Sequence, residues 1–379
     1  MASHFTSSRF FCFFYLLITF FFISTTKAQT HYLSEKATIS ILTCGTGAEL
    51  YSLYGHTALR IDDPVNQIDV VYNYGTFDFS TPNFYGKFIK GDLEYFVSTS
   101  SFEEFNYNYV YDNRDIFEQK LNLSQAQKQK IYTELSDVLA SEKRFYTYKF
   151  IDRNCTTMVR DVINSVLEQP ISTNIPDAQK KYRQILYDYQ TDKFYENLGI
   201  NLMFGAKTDK QCDQLFLPIE LLEGIEQTKI DGKKLSSETV TVFKSQQNGV
   251  QKSLWNNFYT FALILLTVAF FSYKRRTVAI IFLTVAGLFG LFVSLVGLYS
   301  LHQEVLWNYN ALVMCPLYIP LVWFAIQKNT LWTNRLVFLS FGCIGIYLVY
   351  MLNKAHLVMM LPLVATALVS LWKVRKASV

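Results

Sequence analysis

Hydrophobic and polar positions divide the chain into two unlike stretches. Between residues 29 and 253 apolar residues alternate with polar ones or recur at short intervals. From residue 254 onward they form long runs, approximately 255–272, 278–301, 306–327, 335–352 and 356–372. Each run is long enough to cross a hydrocarbon core of about 30 Å at about 1.5 Å per helical residue. Inside lipid a helix satisfies its own backbone groups, so the pattern predicts an all-α bundle of five transmembrane helices over 254–379.

The first stretch predicts a mixed α+β domain over 29–253. "EKATISILTC", "GHTALRID" and "IDVVYNYG" alternate and are rich in β-branched and aromatic residues, as strands are. "DDPVNQ" joins the last two as a hairpin connection. "LSQAQKQKIYTELSDVLAS" (123–141) has helical spacing, with Ser124 placed to cap it. "TYKFID" reads as extended. In "CTTMVRDVINSVLE", Met158, Val159, Val162, Ile163 and Val166 recur at helical spacing. "DAQKKYRQILYDYQ" predicts a later helix, and "SSETVTVFKSQQNGVQKS" a linker to the membrane half.

Charge orients the molecule. Basic connections (Lys274, Arg275 and Arg276; Lys328 and Arg335; Lys373, Arg375 and Lys376) alternate with poor ones. The positive-inside rule then places the domain outside and the C-terminus in the cytoplasm. Residues 1–28 carry one Arg, an apolar run and "TKA", the pattern of a secretory signal peptide. A net charge of +4 with no basic run gives no nucleic-acid footprint.

Of six cysteines, only Cys44, Cys155 and Cys212 fall within 29–253. Parity leaves at least one unpaired, and a Cys44–Cys212 bridge stays open. Metal-ligand spacing is absent, so neither a metal nor a cofactor is expected.

Cys155 is expected at the first turn of its helix, where N–H groups and the macrodipole favour a thiolate and a developing oxyanion. Acyl transfer by a thiolate needs a base. Apart from His31, His56 is the one histidine in the domain. A hairpin turn near residue 65 sets His56 opposite residue 73 or 74, which makes Asn73 the first choice to orient the imidazole and Asp78 the second. Arg60, on the His56 strand, is a candidate phosphate contact, although an arginine so placed is more often an ordinary strand cation. Taken singly, a Cys before a helix is more often a small buried hydrophobe, and a strand His more often structural. In the membrane half, His302, Asn308 and Asn310 form a polar cluster at the outer start of the third run. It is either a hydrated helix end or the lining of a lipid-facing cavity.

A histidine on one strand, a polar residue on the next and "NC" opening a helix resembles the circularly permuted, papain-like thiol hydrolases of the NlpC and lecithin–retinol acyltransferase type. "YGHTALRI", "VYNYGTFDF" and "NCTT" are more similar still to the Lnb-type periplasmic domain, and "H…NYNALVMCPLYIP" resembles the membrane domain that follows it. Proteins of that type are lipoprotein N-acyltransferases of the Bacteroidetes. The resemblance implies a multi-pass inner-membrane enzyme with its catalytic domain in the periplasm. Its partners would be a membrane phospholipid as acyl donor, a diacylglyceryl lipoprotein as acceptor and the lipid bilayer. The resemblance also implies Cys155 as nucleophile, His56 as base and Asn73 as orienter. Asn73 departs from the acyltransferase relatives, which often carry a second histidine there. Two other classes remain open at this point: a membrane-anchored cysteine peptidase or amidase acting on cell-wall peptides, and a non-enzymatic assembly or sensor protein.

Overall fold

A computed structural model describes residues 32–246 and 253–376. The expected signal peptide lies outside the described residues. The first half is built on an antiparallel sheet of seven strands in the order β6-β4-β3-β2-β1-β5-β9. These are β1 (Thr38–Cys44), β2 (His56–Asp63), β3 (Ile68–Thr76), β4 (Glu94–Ser101), β5 (Ile116–Lys120), β6 (Phe145–Thr147) and β9 (Val240–Phe243). β7 (Lys229–Ile230) and β8 (Lys233–Lys234) pair with each other. The α+β expectation therefore holds for this half. The segment read as a linker instead supplies β9, an edge strand on β5.

Around the sheet lie α1 (Phe84–Lys90), α2 (Phe102–Tyr111), α3 (Gln125–Leu139), α4 (Cys155–Asn164), α5 (Tyr182–Asp188), α6 (Phe194–Met203) and α7 (Pro218–Gln227). The strand period of two splits the apolar residues between two faces. On one face Ile39, Ile41, Leu59, Ile61, Tyr72 and Tyr74 pack with Ile131 and Leu135 of α3 and with Val159 and Ile163 of α4. On the other, Leu42, Cys44, Ala58 and Val71 pack with Phe105 of α2. α4 is held to the sheet by buried Val159, Val162 and Ile163, at the spacing that its sequence shows.

The second half contains α8 (Phe258–Lys274), α9 (Arg276–Tyr299), α10 (Tyr318–Ile326), α11 (Thr330–Met351) and α12 (Leu357–Lys376). Among the described residues, three helices are long and apolar enough to cross a membrane: α9, α11 and α12. α8, at 17 residues, is shorter. The third run differs most from expectation. It passes through 3₁₀ turns at Gln303–Val305 and Tyr309–Leu312, and only its last part, α10, is a helix, of nine residues. Asn308 explains part of the break, because its side chain accepts from Asn310 N at 3.0 Å and closes a turn in place of a helix. Pro316 also removes a backbone donor.

Irregular backbone among apolar helices is tolerated where protein encloses it. Glu304, Val305, Asn308, Tyr309, Asn310, Val313, Met314 and Cys315 are accordingly buried. Close approach to α9 depends on Gly290, since a Cβ there would collide with the Met314 carbonyl. The irregular run still traverses the length of the bundle. Leu301 N bonds to Lys90 O of the first domain at 2.7 Å, and the far end, Ala325 O, accepts from Arg276 at the start of α9 at 2.6 Å.

Candidate functional site

Asn154 and Cys155 stand where sequence placed them, at the opening of α4. Asn154, 3% exposed, is the N-cap. Its Oδ1 accepts from Thr157 N at 2.9 Å, and Thr157 Oγ1 accepts from Asn154 N at 2.8 Å. Its Nδ2 also donates to the carbonyls of Phe150 and Phe216, both at 2.8 Å. This reciprocal cap fixes the entry angle of the chain and makes Cys155 the first helical residue. The N–H groups of Cys155 and Thr156 have no intrahelical acceptor by helix geometry, so they face the helix mouth together with the thiol.

His56 begins β2. The register sets Ala58 opposite Asn73, so His56 lies two residues along the same face rather than directly across. The contact expected from the hairpin is made diagonally: His56 Nε2 is 3.2 Å from Asn73 Oδ1. A carbonyl oxygen accepts, so Nε2 donates in this contact and leaves Nδ1 for other partners. Below, the imidazole stacks on Tyr109 of α2, with ring centroids 6.3 Å apart and planes 12° apart. Asp78 takes no part; its carboxylate is bound to Ser80 N and Ser80 Oγ.

The thiol and the imidazole are brought together. Burial pushes the Cys155 pKa up, but the nearby His56 charge, a hydrogen bond with His56, the Thr57 backbone and Thr156 Oγ1 outweigh it, and the net direction is down. Cys44 shows the contrast. It sits directly opposite His56 on β1, yet burial drives its pKa far up, against the pull of Arg114 and Tyr109. Cys212 is likewise raised, to about 11, mainly by burial. Cys44 and Cys212 are both free, so the open disulfide is not formed.

Several contributors were not evident from sequence. Thr57 Oγ1 and Thr156 Oγ1 meet at 3.0 Å in the interior and tie β2 to α4. Gly75 has φ +87°, in the left-handed region, and a Cβ there would stand 3.6 Å from Cys155 Cβ and 3.7 Å from the Tyr148 ring. Its N–H donates to Tyr146 Oη at 2.6 Å. The irregularity in β3 between Asn73 and Thr76 thus keeps the backbone low beside the thiol.

Arg60, four residues beyond His56, is already engaged. It pairs with Asp69 through two bonds of 2.8 and 2.9 Å, reaches Glu118 at 3.3 Å and lies 3.5 Å over the Phe102 ring. His302, Asn308 and Asn310 also have hydrogen-bond partners within the protein. His302 Nε2 donates to Phe88 O at 2.8 Å. Asn308 Nδ2 donates to Leu202 O and Met203 O at 2.8 and 3.0 Å, and Asn310 Nδ2 to Asn201 O at 2.8 Å. All three fasten the membrane half to the first domain. Buried carbonyls there need donors, and these side chains supply them. The same segment also holds the loop that delivers Cys155: Lys149 Nζ donates to Leu301 O at 2.9 Å, and Ile151 N to Glu304 Oε1 at 3.4 Å.

No curated protein and no solved structure matches the chain significantly. Residues 24–187 match the family model described as the Lnb N-terminal periplasmic domain. The matched range contains His56, Asn73 and Cys155 and stops within α5. This suggests an enzyme of lipoprotein processing, with a periplasmic domain attached to apolar helices. Over residues 24–187, which take in most of the first domain's sheet and α4, the chain is similar to the Lnb N-terminal periplasmic domain.

Proposed function

We propose that the chain is a lipoprotein N-acyltransferase of the inner membrane, working through a thioester on Cys155. One observation carries the reading: a thiol with a lowered pKa at a helix mouth, paired with an imidazole that Asn73 orients. His56 takes the thiol proton at Nδ1. The Cys155 thiolate attacks the ester carbonyl of a phospholipid, with the Cys155 and Thr156 N–H groups facing the oxyanion. The carbon–oxygen bond breaks, and the imidazolium returns the proton to the leaving lysophospholipid alkoxide. The α-amine of a lipoprotein's lipidated N-terminal cysteine then attacks the thioester. His56 accepts the amine proton, the carbon–sulfur bond breaks, and thiolate and amide remain.

The membrane half supports this reading over a peptidase. Donor and acceptor are both anchored in lipid, so spanning helices raise their encounter with the thiol. We read α8 and the irregular third run as two further crossings beside α9, α11 and α12, with the first domain on the periplasmic side. In this reading Arg60, His302, Asn308 and Asn310 position the fold and do not contact the donor phosphate.

The test is mass spectrometry of a lipoprotein N-terminus from cells lacking this protein and complemented with either wild type or Cys155→Ser. The expected result is an amide-linked acyl chain with wild type and none with the variant. Unchanged acylation in the deletion strain refutes the assignment.

A further inference from the structure

Between the end of β3 and the start of β4 the chain carries a row of large apolar side chains that water does not favour. Phe79 is 65% exposed, Tyr85 77%, Phe88 43% and Ile89 45%. Exposed apolar patches of this kind mark a binding surface. The backbone under this row is attached to the exit of α9. Phe88 O accepts from His302 Nε2 at 2.8 Å, Ile89 O from Ser300 Oγ at 3.1 Å and Lys90 O from Leu301 N at 2.7 Å. Residues 300–302 directly follow Tyr299, the last residue of a spanning helix. The row therefore lies level with the place where α9 leaves the hydrocarbon, continuous with a surface that already faces lipid. Lys87 sits in the last turn of α1 among the rings, an arrangement that suits anionic headgroups above buried aromatics, and Lys90 beside it pairs with Asp92.

The rings also lead inward. Centroid separations are 6.4 Å from Phe88 to Phe84, 5.8 Å from Phe84 to Phe77, 5.3 Å from Phe77 to Tyr95 and 4.5 Å from Tyr95 to Tyr148. Tyr148 and Cys155 both border Gly75. Ring contacts thus link the membrane exit to the thiol, with Phe88 exposed at the outer end and Tyr95 and Tyr148 packed against the core at the inner end.

We propose that residues 77–89 are seated in the leaflet facing the first domain, and that the rings from Phe88 to Tyr148 are the surface along which a bilayer lipid's acyl chain reaches Cys155. Delivery rests on the acyl-transfer reading above; seating in the leaflet does not.

Benzoylphenylalanine at position 79 or 85 of the full chain, in vesicles of phosphatidylethanolamine and phosphatidylglycerol, tests the seating by photocrosslinking and mass spectrometry. Val65, 58% exposed in the turn at the opposite end of β2, is the control position. Lipid adducts at 79 and 85 and not at 65 are expected. No adducts, or equal adducts at all three, overturn the seating. Delivery is tested with a Phe84→Ser, Phe88→Ser double variant, which removes the two outer rings of the series. Acylation of Cys155 by vesicle lipid should fall about tenfold or more, while alkylation of Cys155 by iodoacetamide is unchanged. Undiminished acylation overturns delivery. A wild-type chain that crosslinks to lipid yet never carries an acyl group on Cys155 refutes acyl transfer, and delivery with it, while seating stands.

Discussion

Thr57 Oγ1 and Thr156 Oγ1 lie 3.0 Å apart in the interior, and each is the chain neighbour of one member of the thiol–imidazole pair. Strand and helix are locked at that point, so the reach of His56 toward Cys155 does not depend on either side chain alone. Thr156→Val should cost about 1–3 kcal/mol, because it strands the Thr57 hydroxyl in the core. Thr57→Val, Thr156→Val together should recover much of that stability, since neither polar group is left over. Acylation should stay impaired in the double variant if the contact positions the pair. Thermal unfolding and Cys155 acylation, measured side by side, separate the two effects.

Asn73 holds the imidazole by a single hydrogen bond. Asn73→Ala should lower the acylation rate of Cys155 about 10- to 100-fold, the loss expected for about 1.5–3 kcal/mol of charge-assisted bonding. Unfolding should change little. A rate within twofold of wild type would remove Asn73 from the proposed mechanism.

Thiol reactivity should divide the cysteines by pH. The pKa of Cys155 is lowered by His56 and neighbouring donors, so its alkylation should proceed at a pH below the range of a free thiol, about 8.5. His56→Ala removes the lowering cause and should move the midpoint upward. Cys44, raised by burial, should stay unmodified until the protein unfolds. Peptide mapping after timed iodoacetamide treatment reads all three.

Glu220 supplies a pH signature away from the site. Burial raises its pKa from 4.5 to about 7, and Tyr189 Oη donates to it at 2.9 Å. Between these values the native state keeps a proton that the unfolded state releases, so stability should decline as pH rises through this window, by up to about 3 kcal/mol. Glu220→Gln should flatten the decline. The measurement is the unfolding midpoint in detergent at pH 5 and pH 8.

The parts of the fold legible in sequence are those with one clear period. Alternation gave β1, β2 and β3, Ser124 gave the start of α3, and the apolar stripe of α4 with Asn154 before it gave the placement of Cys155. α2 was hidden because "FEEFNYNYVY" is rich in residues that favour strands; its one signal is Ser101, whose side chain accepts from Glu104 N at 3.1 Å as an N-cap. β9 shows alternation in "TVTVF", but its polar surroundings resemble a linker. The third membrane run looked like a helix because hydropathy cannot distinguish lipid from a protein interior. Asn308, Asn310 and Pro316 were the local signs against it.

Hydropathy draws a border near residue 253, but the hydrogen bonds do not respect it. Main-chain oxygens at Asn201, Leu202 and Met203 have their donors on Asn308 and Asn310, and Gly205 N gives its hydrogen to Glu304 O at 2.7 Å. Severed at the border, the water-exposed portion would keep its sheet but lose the scaffold under residues 149–154, on which the cysteine loop rests. The two halves are thus coupled through residues 149–154 and 201–205, and transplanting the sheet portion onto a foreign anchor should yield a folded but catalytically slack protein.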